Sequence, residues 1–153
     1  MKTFKLAFSL ALLFTFISIS AFAQETKVAR KNVPSVVLAT FAKTYPKATI
    51  KQTNKEIKDG VTYFEIESKD GKIKRDVLFS QDGSISEVEE MIGIKALPHA
   101  VTESLGDKYP GQKAISIEKN VKGNATHFEI LLSPKKGKKH EVIFDESGAV
   151  VPS

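Results

Sequence analysis

The sequence predicts an α+β fold, a tandem repeat of one helix and a four-stranded antiparallel sheet, with the helices packed on one sheet face. Three observations predict it. At an offset of 64, Val33-Pro34 meets Leu97-Pro98, Val37 meets Val101, Phe41 meets Leu105, and Tyr45-Pro46 meets Tyr109-Pro110. Further along, "TYFEI" at 62–66 meets "THFEI" at 126–130, and after one inserted residue "DVLFSQDGSI" at 76–85 meets "EVIFDESGAV" at 141–150. Within each unit the apolar period changes from four residues to two, which is the change from a helix to a half-covered strand.

The chain opens on a segment that does not belong to the fold. Lys2 and Lys5 precede an apolar run from Leu6 to Ser20, and Ala21-Phe22-Ala23 is a small-x-small cleavage site. This is the pattern of a secretory signal rather than a membrane anchor, so residues 1–23 are expected to be removed and no permanent membrane anchor to remain. The sequence contains no cysteine, which excludes a lipidated cysteine, disulfides and thiolate metal sites. The remaining chain must stand on its own core, and at its length it buries roughly two thirds of the surface its unfolded chain exposes.

Val33, Val37, Phe41 and Tyr45 recur at every fourth position, as do Leu97, Val101, Leu105 and Tyr109. Each set lies along one helix stripe. Pro34 and Pro98 fit the first turn, where a missing N–H costs nothing. Pro46 and Pro110 disfavour the α conformation in the preceding tyrosine and end the helix. A strand then follows at 48–55. Phe64 and Ile66 alternate with Tyr63, Glu65 and Glu67, and Val77 and Phe79 continue the apolar face beyond the Asp70-Gly71 turn. Asp82-Gly83 marks another reversal, and 85–89 supplies the fourth strand.

The second unit repeats this plan, with its extra residue in 130–133 just before the "SPKKGKK" turn. Gly106 weakens its helix by about 1 kcal/mol relative to alanine. Met91, Ile92 and Ile94 are expected to cover the junction. The domain boundaries are set at 24–92 for the first repeat and 93–153 for the second.

The stretches "VPSVVLATFAKTYPKATI" and "TYFEIESKDGKIKRDVLFSQDGSI", with the weaker second copy, resemble the PepSY-like domain of small exported bacterial proteins, also described as β-lactamase-inhibitor-like. The resemblance spans nearly the whole chain after the signal. It implies tandem α+β units, location in the periplasm, with secretion as the alternative, and an inhibitor analogy that is one of fold.

No residue group points to a reaction. Of the three histidines, His99 falls at the start of the second helix, and His127 and His140 lie on strands that a hairpin brings toward one another. Zinc would need a third ligand, for which Glu129 shares a face with His127; the first repeat has no histidine at these places, so no metal is assigned. The recurrence of Glu65 and Glu129 fits solvated strand faces better than paired catalytic carboxylates. The acidic run Glu87, Glu89 and Glu90 lacks the ligand spacing of a calcium loop and is read as a charged strand edge.

Charge excludes another class. The positive balance of the full sequence is reduced once Lys2 and Lys5 are removed, and Lys135, Lys136, Lys138 and Lys139 form a loop tip rather than a basic stripe, so nucleic acid is not an expected partner. The reading is a non-enzymatic binding or interaction module with no cofactor and no catalytic residue. Its expected partner is an envelope or periplasmic protein or peptide, met by the outward strand face bearing Tyr63, Glu65, His127, Glu129 and Leu131. A structural or envelope-stress accessory without a ligand is the alternative, and a hydrolase a distant one.

Overall fold

Each of the two long helices ends where a tyrosine meets a proline. In the computed structural model, which describes residues 24–152, α1 spans Ser35–Thr44 and α2 spans His99–Lys108. The predicted signal segment lies outside the described residues. Pro34 and Pro98 cap the helices with extended backbone, ψ 138° and 147°. Tyr45 and Tyr109 leave the helix at φ −126° and −128° while their N–H groups still donate to the carbonyls of Phe41 and Leu105. A 3₁₀ turn precedes each helix, at Arg30–Asn32 and Ile94–Ala96, again 64 residues apart.

The strands are β1 Gln24–Lys27, β2 Thr49–Lys58, β3 Val61–Asp70, β4 Ile73–Ser80, β5 Ile85–Met91, β6 Lys113–Lys122, β7 Ala125–Ser133, β8 His140–Asp145 and β9 Val150–Val151. They form one nine-stranded sheet in chain order, each strand antiparallel to the next. The two four-stranded sets, which the sequence left free to abut or to continue into one, are joined in this single sheet, and β1 was not foreseen.

The register explains the continuity. β1 pairs with β2 as Gln24↔Ile57 through Lys27↔Asn54, and β5 pairs with β6 as Val88↔Val121 through Met91↔Glu118, the same pairs shifted by 64. β5 therefore closes the first set of strands against β4 and stands to the second set as β1 stands to the first. The irregularity in β2 at Ile50/Gln52 also recurs in β6 at Ala114/Ser116.

The core lies between the helices and one sheet face as two clusters. Val33, Val37 and Phe41 pack with Phe64, Ile66, Val77 and Phe79; Leu97, Val101 and Leu105 pack with Ile117, Phe128, Ile130, Leu132, Val142 and Phe144. Of the residues expected to cover the junction, Ile92 packs against the second cluster, whereas Met91 and Ile94 are exposed. Gly106 has no neighbouring atom where a Cβ would stand, so close packing does not require it. Gly83 and Gly148 do have that role. Each turns at positive φ, 87° and 81°, directly beneath a helix, where a Cβ would strike Val36 in one case and the Ala100 backbone in the other.

Candidate binding face

The sheet face opposite the helices is built by the residues that alternate with the core. Along one row the register joins Glu67 to Asp76, Asp76 to Glu89, Glu89 to Asn120 and Asn120 to His127. A neighbouring row runs Asn54, Glu65, Leu78, Glu87, Lys122. A third runs Met91, Glu118, Glu129, Ile143. Strand alternation thus gathers carboxylates that are scattered in sequence onto one surface.

All five residues expected on a binding face lie there. Tyr63 and Glu65 stand on β3; His127, Glu129 and Leu131 stand on β7. The structure does not bring the two groups together, because β4, β5 and β6 stand between them, a separation of about 19 Å at the usual strand spacing. The space between is acidic. A cavity of 380 Å³ is lined by Glu67, Asp76, Glu89, Glu118 and Met91, with Lys51, Lys69 and Lys74 at its side. An adjoining one of 200 Å³ shares Asp76 and Glu89 and adds Glu25, Glu56, Glu65 and Glu87.

Burial first, and the crowding of like charge after it, shift the carboxylates of this face. Burial, followed by the charges of Glu87 and Glu129, pushes Glu89 up to about 7. Burial also raises Asp76, with Glu67 and Glu118 adding to it, and raises Glu129, with Glu141 and Glu118 adding to it. Burial raises Glu65 despite the hydrogen bond from Asn54. Glu87 goes the other way, since the donors Asn120 and Lys122 outweigh its burial and leave it below the usual carboxylate range.

Two buried amides tie this surface together, and sequence reasoning missed both. Asn54 Nδ2 donates to Glu65 Oε2 at 2.7 Å and to Glu67 Oε1 at 3.0 Å. Asn120 Nδ2 donates to Glu87 Oε1 at 2.7 Å and to Glu89 Oε1 at 3.2 Å. Each bridges two carboxylates two residues apart on the adjoining strand. The available signal was asparagine inside a strand, a residue that strands disfavour.

Three readings are corrected. His127 and His140 do not approach, because His127 pairs with Asp145 on the open face while His140 sits opposite Leu132 and stacks against Tyr109, ring centres 6.0 Å apart. Glu87, Glu89 and Glu90 do not mark an edge: β5 is the central strand, with Glu87 and Glu89 on the open face and Glu90 paired to Arg75. The strand expected at 48–55 is β2, which begins at Thr49 and runs on to Lys58.

The face can attract and hold positive charge. Its groove offers carboxylates, lysines and Ser68, whose hydroxyl donates to the Arg75 carbonyl at 3.1 Å. One group of potential ligands occurs among the described residues: carboxylate oxygens of Glu25, Glu65 and Glu67 lie within 4.8 Å of one another. No helix among the described residues is long and apolar enough to cross a membrane.

A family model described as "Putative beta-lactamase-inhibitor-like, PepSY-like" matches twice, over residues 20–87 and 62–151. No curated protein matches the chain. Among solved structures, a BLIP-like protein from Bacteroides fragilis is 25% identical, with a TM-score of 0.61 over 78% of this chain and 84% of that one. A DUF2874 family protein from Bacteroides uniformis is 16% identical, with a TM-score of 0.62 over 78% and 86%. A structure from Bacteroides eggerthii described among "putative periplasmic proteins" gives the same identity, TM-score and coverage. At 16% identity the latter two establish a shared fold.

Proposed function

The chain belongs to the PepSY-like family, and from that premise we propose that it is an exported, non-enzymatic binding module which engages an envelope or periplasmic protein or peptide through the open face of its sheet. The observation that carries this reading is the acidic groove centred on Asp76 and Glu89, uncovered by either helix, with Tyr63 on β3 and Leu131 on β7 on the same face beyond its lining. Apolar anchors around a charged centre suit a partner that brings cationic side chains between two apolar contacts. Likeness to a BLIP-like protein supports a role in binding.

Two units, 24–92 and 93–153, underlie the face in this reading, with β5 shared between them. The matching registers, the repeated irregularity and the twin glycines support a tandem origin. A shared strand makes the groove a product of the pair, since Asp76 comes from one side of β5 and Glu118 from the other.

Affinity capture from the native envelope, followed by direct binding measurements with the identified partner, tests the proposal. Tyr63→Ala and Leu131→Ala should each weaken binding more than about tenfold, as expected for apolar anchors that carry much of an interface's energy. Asp76→Asn should weaken it and flatten its salt dependence. Unchanged affinity in all three variants would move the interface off this face, and failure to find any partner would favour the structural accessory.

A further inference from the structure

We propose that the cleft between the end of β5 and the start of β6 receives a large apolar side chain of an extended peptide, whose nearby basic side chain enters the acidic groove beside it. The cleft has a volume of 470 Å³, and Met91, Ile94 and Ile115 stand exposed around it, at 39, 52 and 45%. Ile92, Ala114 and Ile117 also line it and belong to the second core cluster or pack against it. Three large aliphatic side chains left in water around one concavity are buried only when an apolar guest fills it.

The fold does not demand these residues. At the offset of 64, Met91, Ile94 and Ile115 stand where the first half has Lys27, Arg30 and Lys51. The settings match. Lys27 and Met91 end β1 and β5, Arg30 and Ile94 open the two 3₁₀ turns, and Lys51 and Ile115 are the residues that the strand registers skip. Such an irregularity re-aims the side chain it carries. One backbone thus presents three cations in one half and three aliphatic side chains in the other, so packing within the chain does not account for the aliphatic set.

Two features identify the guest. Met91 lines both this cleft and the 380 Å³ cavity of Glu67, Asp76, Glu89 and Glu118, so the apolar and acidic spaces adjoin. In an extended peptide, residues two apart project to the same side about 7 Å from each other, which sets a lysine and a leucine over neighbouring spaces. The second feature is Gln112, which lines the cleft and whose Oε1 is buried without a hydrogen-bond partner among the described residues. A peptide brings N–H donors to that wall, whereas a hydrocarbon chain brings none. For its basic half the proposal rests on the binding reading above; its apolar half stands on the cleft.

Chemical-shift titration with the peptide acetyl-Thr-Lys-Thr-Leu-Thr-amide tests the assignment, alongside one version with serine for the leucine and one with glutamate for the lysine. Burial of the leucine should make the first peptide bind at least about tenfold more tightly than the serine version, and the glutamate version should also bind more weakly. Ile94→Gln and Ile115→Gln should each cut affinity for the leucine peptide at least about fivefold while leaving the serine peptide and the unfolding midpoint unchanged, since the first half carries charged residues at both places. Tyr63→Ala and Leu131→Ala, outside the cleft, should not alter peptide binding. No binding of the leucine peptide at millimolar concentration, or full affinity in both glutamine variants, would overturn the proposal. So would tighter binding of decanoate than of the peptide, which assigns the cleft to a hydrocarbon chain, or self-association abolished by Ile94→Gln, which assigns it to a second copy. A lysine preference without a leucine preference would overturn the cleft and leave the binding reading standing; a leucine preference without a lysine preference would overturn the pairing with the groove and count against that reading.

Discussion

Arg75 lies over the ring of Tyr45, its guanidinium carbon 4.3 Å from the ring centre. Its Nε and Nη2 both donate to Glu90 Oε2, at 2.8 and 2.6 Å. The tyrosine that ends α1 therefore does more than anchor a helix stripe: it covers a largely buried cation that ties β4 to β5. In the second half Tyr109 stands against His140, the residue that the one-residue insertion brings to the place of Arg75.

Arg75→Ala should destabilise the protein by about 2 to 3 kcal/mol, because Glu90 loses both donors while Tyr45 loses its cover; the partial exposure of Glu90 keeps the figure below that of a fully buried pair. His140→Ala should cost under about 1 kcal/mol, since His140 is exposed. Urea unfolding of the two variants checks the contrast, and equal losses would contradict it.

The twin glycines should not be equally intolerant. A Cβ on Gly83 would meet the Val36 side chain at 2.8 Å, with the Thr40 hydroxyl and the Val36 carbonyl oxygen at 3.2 Å, whereas on Gly148 it would run into the backbone carbonyl of Ala100, which cannot give way without moving the helix. Both also carry the cost of a left-handed backbone. Gly83→Ala should lose about 1 to 2 kcal/mol and Gly148→Ala more than about 3 kcal/mol. Thermal unfolding would reveal a reversed order.

What was legible in the sequence was periodic. The Tyr-Pro stops and the Phe-x-Ile faces declare themselves within a few residues, and the structure places them as read; of the helix stripes, Val37, Phe41, Val101 and Leu105 lie on the helices, while Val33 and Leu97 precede them in extended backbone and still join the same cores. The single sheet was not legible, because nothing local in 85–91 says that Val88 faces two neighbours, Val77 and Val121. The five face residues were legible from strand alternation. The acidic groove between them was not: Glu67, Asp76, Glu89 and Glu118 are spread over four strands and meet only through register. The tasks of Asn54 and Asn120 likewise depend on adjoining strands.

Phe64 and Phe128 hold equivalent places, each opposite another buried phenylalanine, Phe79 and Phe144. At 7% and 3% exposure they are packed between sheet and helix. Phe64→Ala and Phe128→Ala should each cost about 3 to 5 kcal/mol through lost transfer energy and the cavity left behind. A loss under about 1 kcal/mol in either, measured by denaturant unfolding, would contradict the packing.

The last prediction concerns pH and Glu89. Its folded pKa, about 7, stands above its ordinary value of 4.5, so between those limits the folded protein holds a proton that the unfolded chain has released. The stability tied to that proton is fully present below the unfolded pKa and is lost as pH rises through the folded one. Glu65, Asp76 and Glu129 are raised as well and act in the same direction, while Glu87, held low by its donors, acts against them. Glu89→Gln removes the ionisation and keeps a carbonyl oxygen for the Asn120 amide. At about pH 8 the variant should be more stable than the parent by about 1 kcal/mol, a value reduced from the full shift because water screens a half-buried carboxylate. The advantage should shrink as pH falls and vanish below about pH 4.5, where both states of the parent hold the proton. Unfolding curves of parent and variant at a series of pH values would show this as converging midpoints; parallel midpoints would mean that the groove carries its charge without strain.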